Sequence, residues 1–257
     1  MLKLNHIYKY YNYGSANETC VFDDFNLEIR KGDFVSVIGS NGSGKTSLLN
    51  IICGSINIEG GQLIFEDKEI NKLKEHKRYK DIARVFQDPS VGVSPSMTIL
   101  ENLSIGLNKG KNWGLKRAVD NKNIEYFKKM VTGLELGLED KLNTKVSDLS
   151  GGQRQAISLI MATMNPFKVL ILDEHTAALD PKTANKIMEL TDRIIKEKNV
   201  TAIMVTHNLK YALEYGNRIL MMHEGKVILD KSDKEKDNII LDDILDKFNK
   251  ISIETGN

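Results

Sequence analysis

The sequence predicts an α/β protein with a mainly parallel sheet and helices on both of its faces. Short apolar runs typical of buried strands alternate with helical patterns along the chain. The first such run, residues 34–39, leads through a glycine-rich segment into a helical pattern. The chain has 257 residues, which is enough for one large domain of this kind.

The predicted elements follow one another in a regular order. Buried strands are predicted at residues 34–39, 169–174 and 200–207, further strands at 61–67 and 82–88, and a hairpin that turns at Glu224 and Gly225. Helices are predicted at residues 45–54, 150–165 and 181–199. A terminal helix within 236–250 has Leu241, Ile244, Leu245 and Phe248 on one face, which predicts that it is docked. The pattern of residues 89–165 is mostly helical, which predicts a separate small lobe.

Charge and cysteine content exclude several classes of protein. Lysine and arginine total 36 and aspartate and glutamate total 35, so the net charge of +1 gives no general attraction to nucleic acid or to an anionic membrane. The two cysteines, Cys20 and Cys53, make no disulfide framework and suit a reducing compartment. No secretory signal or spanning segment is visible, so we expect a soluble, cytoplasmic chain that reaches a membrane only through a partner.

The segment GSNGSGKT is a candidate phosphate-binding loop. It lies between a predicted strand and a predicted helix, which is the context that the pattern G-x-x-x-x-G-K-[ST] requires. Glycines leave room for backbone N–H groups to converge on phosphate oxygens, and the following helix adds positive potential. Lys45 is a mobile charge for the β- and γ-phosphates, and the Thr46 hydroxyl is a hard ligand suited to Mg²⁺. The candidate residues of this phosphate loop are Gly39, Ser40, Asn41, Gly42, Ser43, Gly44, Lys45, Thr46 and Ser47.

Polar side chains at the ends of other predicted strands are candidates for metal binding and catalysis. Ligands gather at the carboxyl ends of parallel strands, where Asp173 and Glu174 are predicted to lie. We expect Asp173 to orient Mg²⁺ and Glu174 to accept a proton from the attacking water. Gln87 is a weaker candidate as a ligand of Mg²⁺ or a holder of water. His207 is a candidate contact for a γ-phosphate, although a lone histidine is more often structural.

The segment LSGGQ starts a helix with two residues that weaken it. Ser150 and Gln153 form a predicted capping box, but Gly151 and Gly152 occupy the first turn. Each glycine within a helix costs about 1 kcal/mol relative to alanine. The plain explanation is a simple capping box with tolerated glycines.

These motifs, in this order, resemble those of the ATP-binding cassette (ABC) family over nearly the whole chain. The carriers of the resemblance are GSNGSGKT, VFQDP, LSGGQRQ, VLILDEHTAALD and VTH. The resemblance implies a P-loop NTPase fold with a mainly parallel central sheet, an antiparallel β subdomain and a helical subdomain at 89–165, all within one domain of residues 1–257. It also implies an ATPase that uses ATP and Mg²⁺.

The resemblance assigns further residues and a second copy of the chain. It implies that Ser150, Gly151, Gly152 and Gln153 contact the nucleotide held by another copy, which predicts a head-to-tail homodimer around two ATP. It also assigns a nucleotide-contacting role to Asp180, which follows the carboxylates. An aromatic residue upstream of the loop stacks on adenine in this family, and Tyr11 is the first choice, with Tyr13 as the alternative. His175 stands where many members have proline or alanine, without an evident role.

The resemblance favours the ATPase subunit of a membrane transporter. We expect it to drive separate permease subunits from the inner face of the cell membrane and to serve, with a solute-binding protein, the import of a small organic solute such as an amino acid. An exporter or lipoprotein-release ATPase, a soluble non-transport ATPase and a scaffold without hydrolysis remain as alternatives. Apolar residues after Gln87, namely Val91, Val93, Met97 and Ile99, suit a permease-docking surface or a core.

Overall fold

The computed structural model describes residues 1–110 and 119–255, with side chains up to residue 248. The chain divides into two compact units: the first contains residues 1–73 and 202–257, and the second contains residues 74–201. Within the described residues, no helix combines the length and the apolar character that crossing a bilayer requires.

The first unit contains an antiparallel sheet, as the family resemblance implies, but the residue pattern located just one of its strands, at 61–67. Its strands are β1 (Leu2–Tyr11), β2 (Thr19–Ile29), β4 (Gly60–Phe65) and β5 (Lys68–Glu69), in the order β2-β1-β4-β5. Residues along β1 and β2 alternate only in part between buried and exposed, because register shifts interrupt their pairing. Such irregularity weakens the period-two signal from which strands are recognised in a sequence.

A second sheet in the first unit carries the phosphate loop. Strands β3 (Phe34–Gly39), β8 (Thr201–Val205), β9 (Arg218–His223) and β10 (Lys226–Ser232) are neighbours in it, in the order β10-β9-β3-β8. Strand β3 is buried throughout and pairs in parallel with both β8 and β9, which explains its mainly apolar sequence. Strands β9 and β10 form the predicted hairpin, with Glu224 and Gly225 both at positive φ in the turn.

The helices of the first unit include two at the carboxyl terminus. Helix α1 spans Lys45–Cys53 and ends at Gly54, as the sequence predicts. The others are α8 (Leu209–Glu214), α9 (Lys234–Asp237) and α10 (Leu241–Thr255). Ile244 of α10 is buried and Phe248 packs against the same cluster, but Leu241 and Leu245 are 44% and 40% exposed. The prediction that all four residues dock was therefore wrong for Leu241 and Leu245.

The second unit is mainly helical. Its strands, β6 (Ile82–Val85) and β7 (Val169–Asp173), pair in parallel. Its helices are α2 (Glu75–Arg78), α3 (Pro89–Gly92), α4 (Ile99–Leu107), α5 (Ile124–Thr132), α6 (Gly151–Thr163) and α7 (Pro181–Lys198). The predicted lobe of residues 89–165 includes residues 111–118, which lie outside the described residues, and its standing as a subdomain stays a prediction.

The core of the second unit joins helices α4, α5, α6 and α7. Fully buried side chains such as Leu103, Phe127 and Ile157 come from three of these helices. Val93 and Ile99 belong to this core, so the alternative that they form an exposed docking surface was wrong. Val91 and Met97 remain exposed, at 62% and 38%.

Candidate functional site

The predicted site residues fall into two groups, one in each unit. The first unit holds the phosphate loop together with Tyr11 and His207. The second unit holds Gln87, the carboxylates of Asp173 and Glu174, the start of α6 and Asp180.

The phosphate loop surrounds the ammonium group of Lys45, which binds two of its carbonyl oxygens. The Lys45 Nζ donates to the carbonyl oxygens of Gly39 at 2.9 Å and of Ser40 at 2.7 Å, and it lies 3.4 Å from Ser43 Oγ. Asn41, Gly42 and Thr46 are exposed, while Ser43 and Lys45 are buried. The loop therefore keeps a buried cation beneath an exposed rim, which suits an anionic ligand.

Two glycines of the loop are required by close packing as well as by their backbone angles. Gly44 is the N-cap of α1 at φ +97°, and a Cβ there would lie 2.9 Å from Phe22 Cε1. A Cβ on Gly39, at φ +154°, would overlap the carbonyl oxygen of Met222. Because Gly44 has no side chain, the N-cap residue supplies no acceptor for the first N–H groups of α1.

His223 touches the phosphate loop, although the sequence analysis gave it no role. Its Nδ1 lies 3.3 Å from Ser40 Oγ, and the N–H of the nearby Gly225 donates to the Ser43 carbonyl at 3.2 Å. The β9–β10 turn thus supports the loop from outside. The only sequence signal for this contact was a histidine at the end of a strand, which is too common to be specific.

Tyr11 and Tyr13 differ in how firmly they are held. The Tyr11 hydroxyl lies 3.1 Å from Ser47 Oγ, on the first turn of α1, and Lys9 Nζ lies 5.4 Å from the centre of the Tyr11 ring. The Tyr13 side chain is 71% exposed and packs against Tyr10, with 5.5 Å between ring centres. Tyr11 is therefore the aromatic residue that is tied to the phosphate loop.

His207 lies two residues beyond the end of β8 and is exposed. The preceding Thr206 is buried, and its hydroxyl accepts a hydrogen bond from the N–H of Asn208 at 3.0 Å. Asn208 in turn caps helix α8 by accepting from the N–H of Tyr211. This turn fixes the backbone on the carboxyl side of His207 and leaves its ring accessible.

In the second unit, Asp173 ends strand β7 and forms an ion pair that the sequence analysis missed. Its Oδ2 accepts from Arg84 Nη2 at 2.7 Å, and the two side chains are only 14% and 6% exposed. Arg84 interrupts the otherwise buried apolar strand β6. A charged residue within such a strand is rare unless it is paired, and that rarity was a usable signal. Gln87 is exposed and lies two residues beyond β6.

Glu174 directly follows the strand with a backbone that few residues adopt. Its φ is +47°, in the left-handed region, and its carbonyl accepts from the N–H of Ala177 at 3.0 Å. Such angles are strained for a residue with a side chain and occur often at functional sites. The strand predicted at 169–174 therefore ends at Asp173, and Glu174 lies in the turn that follows it.

His175 has a structural role. The ring is buried, and its Nε2 lies 3.2 Å from Thr191 Oγ1, whose hydroxyl donates to the Ile187 carbonyl at 2.7 Å. The hydroxyl therefore accepts from Nε2–H. Burial lowers the pKa of His175 to about 4, so the ring is neutral at pH 7.

The capping box at the start of α6 is formed as predicted. Ser150 Oγ accepts from the N–H of Gln153 at 3.3 Å, and Gln153 Oε1 accepts from the N–H of Ser150 at 3.1 Å. Gln153 Nε2 also donates to the Leu136 carbonyl at 3.0 Å. Because Ser150 Oγ accepts in this box, its own proton remains to be donated elsewhere.

The two glycines of this helix start have different surroundings. A Cβ on Gly152 would overlap the Cγ2 methyl of Thr183 on α7, whereas a Cβ on Gly151 would make an ordinary contact of 3.7 Å with Leu179. Packing within the chain is sufficient to explain Gly152. The expected contact with a nucleotide is therefore an explanation that Gly151 still needs and Gly152 does not.

Asp180 is the N-cap of helix α7. Its Oδ1 accepts from the N–H of Thr183 at 3.1 Å, and hydrogen bonds from the hydroxyl and the N–H of Thr183 lower the pKa of the carboxyl group. Pro181 follows at the first helical position, as predicted.

Comparisons with known proteins identify the family. The sequence model described as "ABC transporter" matches residues 22–177. A tyrosine transport ATP-binding protein of Clostridioides difficile is 50% identical, over 96% of this chain and 98% of that protein. A phosphonates import ATP-binding protein of Lactococcus lactis is 32% identical, over 96% and 99%.

Solved structures confirm the predicted fold class. The dimeric post-hydrolysis state of the ATP-binding cassette MJ0796, bound to ADP and phosphate, has a TM-score of 0.77 and 30% identity. The match covers 90% of this chain and 98% of that one. A nucleotide-free cassette from an ABC transporter, at 27% identity, also has a TM-score of 0.77. The chain therefore belongs to the ABC transporter family, as an ATP-binding subunit that hydrolyses ATP.

Proposed function

We propose that two copies of this chain close head to tail around two ATP molecules and so drive separate permease subunits in a membrane. The observation that carries this proposal is the start of α6, where a capped and exposed Ser150 precedes a glycine whose missing Cβ no packing within the chain demands. A ligand outside the unit explains that choice. The related cassette MJ0796 is dimeric with ADP and phosphate bound, which supports the same arrangement here.

The proposed nucleotide contacts in the first unit follow from the phosphate loop and Tyr11. The N–H groups at the start of α1 donate to phosphate oxygens, and Lys45 exchanges its two carbonyl acceptors for the β- and γ-phosphates. The ring of Tyr11 stacks on adenine, since its hydroxyl and Lys9 hold it beside α1. His207 donates to the γ-phosphate from an accessible turn.

The second unit supplies the proposed catalytic groups. Glu174 is the general base that accepts a proton from the attacking water, and it follows strand β7 with a left-handed backbone. Gln87 holds water or metal. Ser150 and the N–H groups of Gly151 and Gly152 donate to a γ-phosphate on the other copy, and Gln153 fixes the turn. Asp180, the N-cap of α7, is a further proposed contact of the nucleotide.

The donor set fits Mg²⁺. The carboxylate of Asp173, the hydroxyl of Thr46 and the amide of Gln87 are hard oxygen donors. Among the described residues, no group of three or more His, Cys, Asp or Glu could hold a metal alone, which suits an ion that is bound mainly by phosphates. When bound, Mg²⁺ neutralises charge on the β- and γ-phosphates during hydrolysis.

We infer that the transporter imports an amino acid, with tyrosine as the first candidate, and that a separate solute-binding protein delivers it. The support is the relative named for tyrosine transport, at 50% identity over nearly the full length of both chains. Several other relatives are also named for import, which favours import over export. The exposed Val91 and Met97 are the proposed contacts for the permease, on the cytoplasmic side of the membrane.

A variant that binds ATP without hydrolysing it, and so stays in the closed dimer, tests this proposal. Glu174→Gln keeps the shape and the polarity of the side chain but removes the base, so ATP should bind and not turn over. We expect a dimer on a sizing column in MgATP and a monomer in MgADP. Glu189→Gln, on the exposed surface of α7, is the matched control and should hydrolyse like the wild type. A Glu174→Gln protein that hydrolyses at the wild-type rate, or stays monomeric in MgATP, would contradict the proposal.

A further inference from the structure

Arg84 is a buried cation inside an apolar strand. Its neighbours on β6, Ile82, Ala83 and Val85, are all buried, and the Arg84 side chain itself is 6% exposed. A guanidinium group in such a place is retained only when it is paired, because burial without a partner is costly. Arg84 forms an ion pair with the carboxylate of Asp173.

The register of the two strands makes this pair geometrically specific. Arg84 lies beside Ile171 in the parallel pairing, so Asp173, two residues further along β7, projects from the same face. Arg84 Nη2 lies 2.7 Å from Asp173 Oδ2, and the guanidinium carbon lies 4.7 Å from the centre of the Phe86 ring. The cation is thus held from two sides.

The pair has a consequence for metal binding. A divalent ion that approaches Asp173 meets a carboxylate whose charge is already balanced and a cation that repels it. One carboxylate oxygen, Oδ2, is occupied, and Oδ1 is the oxygen left for a metal or its water. Nucleotide phosphates add the negative charge and the ligands that the protein side lacks.

We propose that Arg84 is a positioning residue: it is the resident counter-cation of Asp173 and suppresses divalent-metal binding to the nucleotide-free chain. The metal then enters the site together with the nucleotide and not before it. This inference rests on the metal-orienting role proposed for Asp173.

Titration of Mn²⁺ in the absence of nucleotide, followed by electron paramagnetic resonance, tests the inference. Loss of the positive charge in Arg84→Gln removes repulsion a few ångströms from the ion, so we expect Mn²⁺ to bind about tenfold more tightly than to the wild type. Arg84→Met, which keeps an apolar stem against Phe86, should behave in the same way. Arg84→Lys keeps the charge and should bind Mn²⁺ as weakly as the wild type.

Two controls separate the local effect from a general change in charge. Lys168→Gln removes one positive charge near the opposite ends of the same two strands, where Lys168 pairs with Asp81 at 3.4 Å, and should leave Mn²⁺ binding unchanged. Addition of Asp173→Asn to Arg84→Gln should abolish the gain. Equal Mn²⁺ affinity in the wild type, Arg84→Gln and Lys168→Gln would overturn the inference.

The same series distinguishes this inference from the proposed function. If Arg84→Gln is poorly folded, Mn²⁺ should raise its melting temperature while Na⁺ at equal ionic strength does not, and the absence of that rise counts against the inference. Dimer formation by Glu174→Gln in MgATP is the separate test of the proposed function. If that dimer forms but Arg84→Gln shows no change in Mn²⁺ affinity, the role of Arg84 is overturned and the proposed function is not.

Discussion

The chain has two glycine-rich helix starts, and they are built in opposite ways. At α1 the N-cap is Gly44 in a left-handed conformation, which has no side chain to cap the helix. At α6 the N-cap is Ser150, and a complete capping box satisfies both ends of the turn. An uncapped helix start binds its ligand with its own N–H groups. A capped start is stable without a ligand, and at α6 it presents the hydroxyl of Ser150 and Gly151, which has room for a Cβ.

Glycines at the two helix starts are required for different reasons. Gly44 combines a left-handed backbone with contact to Phe22, and Gly152 has an ordinary helical position but no room beside Thr183. Gly151 has room for a Cβ. Sequence alone presents all three as glycines beside a helix.

The largest expected effect is at α1. Lys45→Ala removes the ammonium group that closes the phosphate loop, and we expect ATP affinity to fall at least about 100-fold, because charge-assisted contacts to phosphate are strong. Calorimetry with ATP measures this loss. Lys31→Ala, an exposed lysine before β3, is the control and should bind like the wild type. Unchanged affinity in Lys45→Ala would remove the distinction between the two helix starts.

Gly151→Ala should separate binding from turnover. Alanine favours the helix and is accommodated within the chain, so the protein should be at least as stable as the wild type. If the start of α6 contacts a γ-phosphate on a second copy, the new methyl group holds the phosphate away, and turnover should fall at least about tenfold. ATP binding to the monomer should not change. Full turnover in Gly151→Ala would show that this glycine serves no nucleotide.

The two tyrosines should differ in their effect on adenine recognition. Tyr11→Leu should weaken ATP binding about tenfold, the usual scale for loss of one base-stacking contact, and leave inorganic tripolyphosphate binding unchanged. Tyr13→Leu should change neither, because that ring packs only on Tyr10 in the described contacts. Competition against a fluorescent nucleotide measures both ligands. The reverse pattern would assign the stacking role to Tyr13.

The smallest expected effect concerns packing. Gly152→Ala forces the new Cβ against the Thr183 methyl group, and overpacking of this kind outweighs the gain in helix propensity by about 1 kcal/mol. Thermal unfolding should show the loss, and Thr183→Ser in the same chain should restore stability because it removes only the offending methyl group. A Gly152→Ala protein as stable as the wild type would contradict the packing explanation.

The sequence by itself determined the strand–loop–helix unit at residues 34–53, the capping box at Ser150 and the turn at Glu224, because each depends on neighbours within a few residues. Of the antiparallel sheet in the first unit it located only β4, because register shifts blur the local pattern of β1 and β2. It also gave Leu241 and Leu245 the same weight as Ile244 on α10, although only Ile244 is buried.

Only the tertiary structure decided what lies beside each residue. The Arg84–Asp173 pair joins positions 89 residues apart, and the contact between His223 and Ser40 joins positions 183 apart. The overlap that reserves position 152 for glycine involves Thr183 on another helix. Side-chain patterns record the burial and conformation of a residue, whereas charge pairing and close packing depend on partners that the pattern does not name.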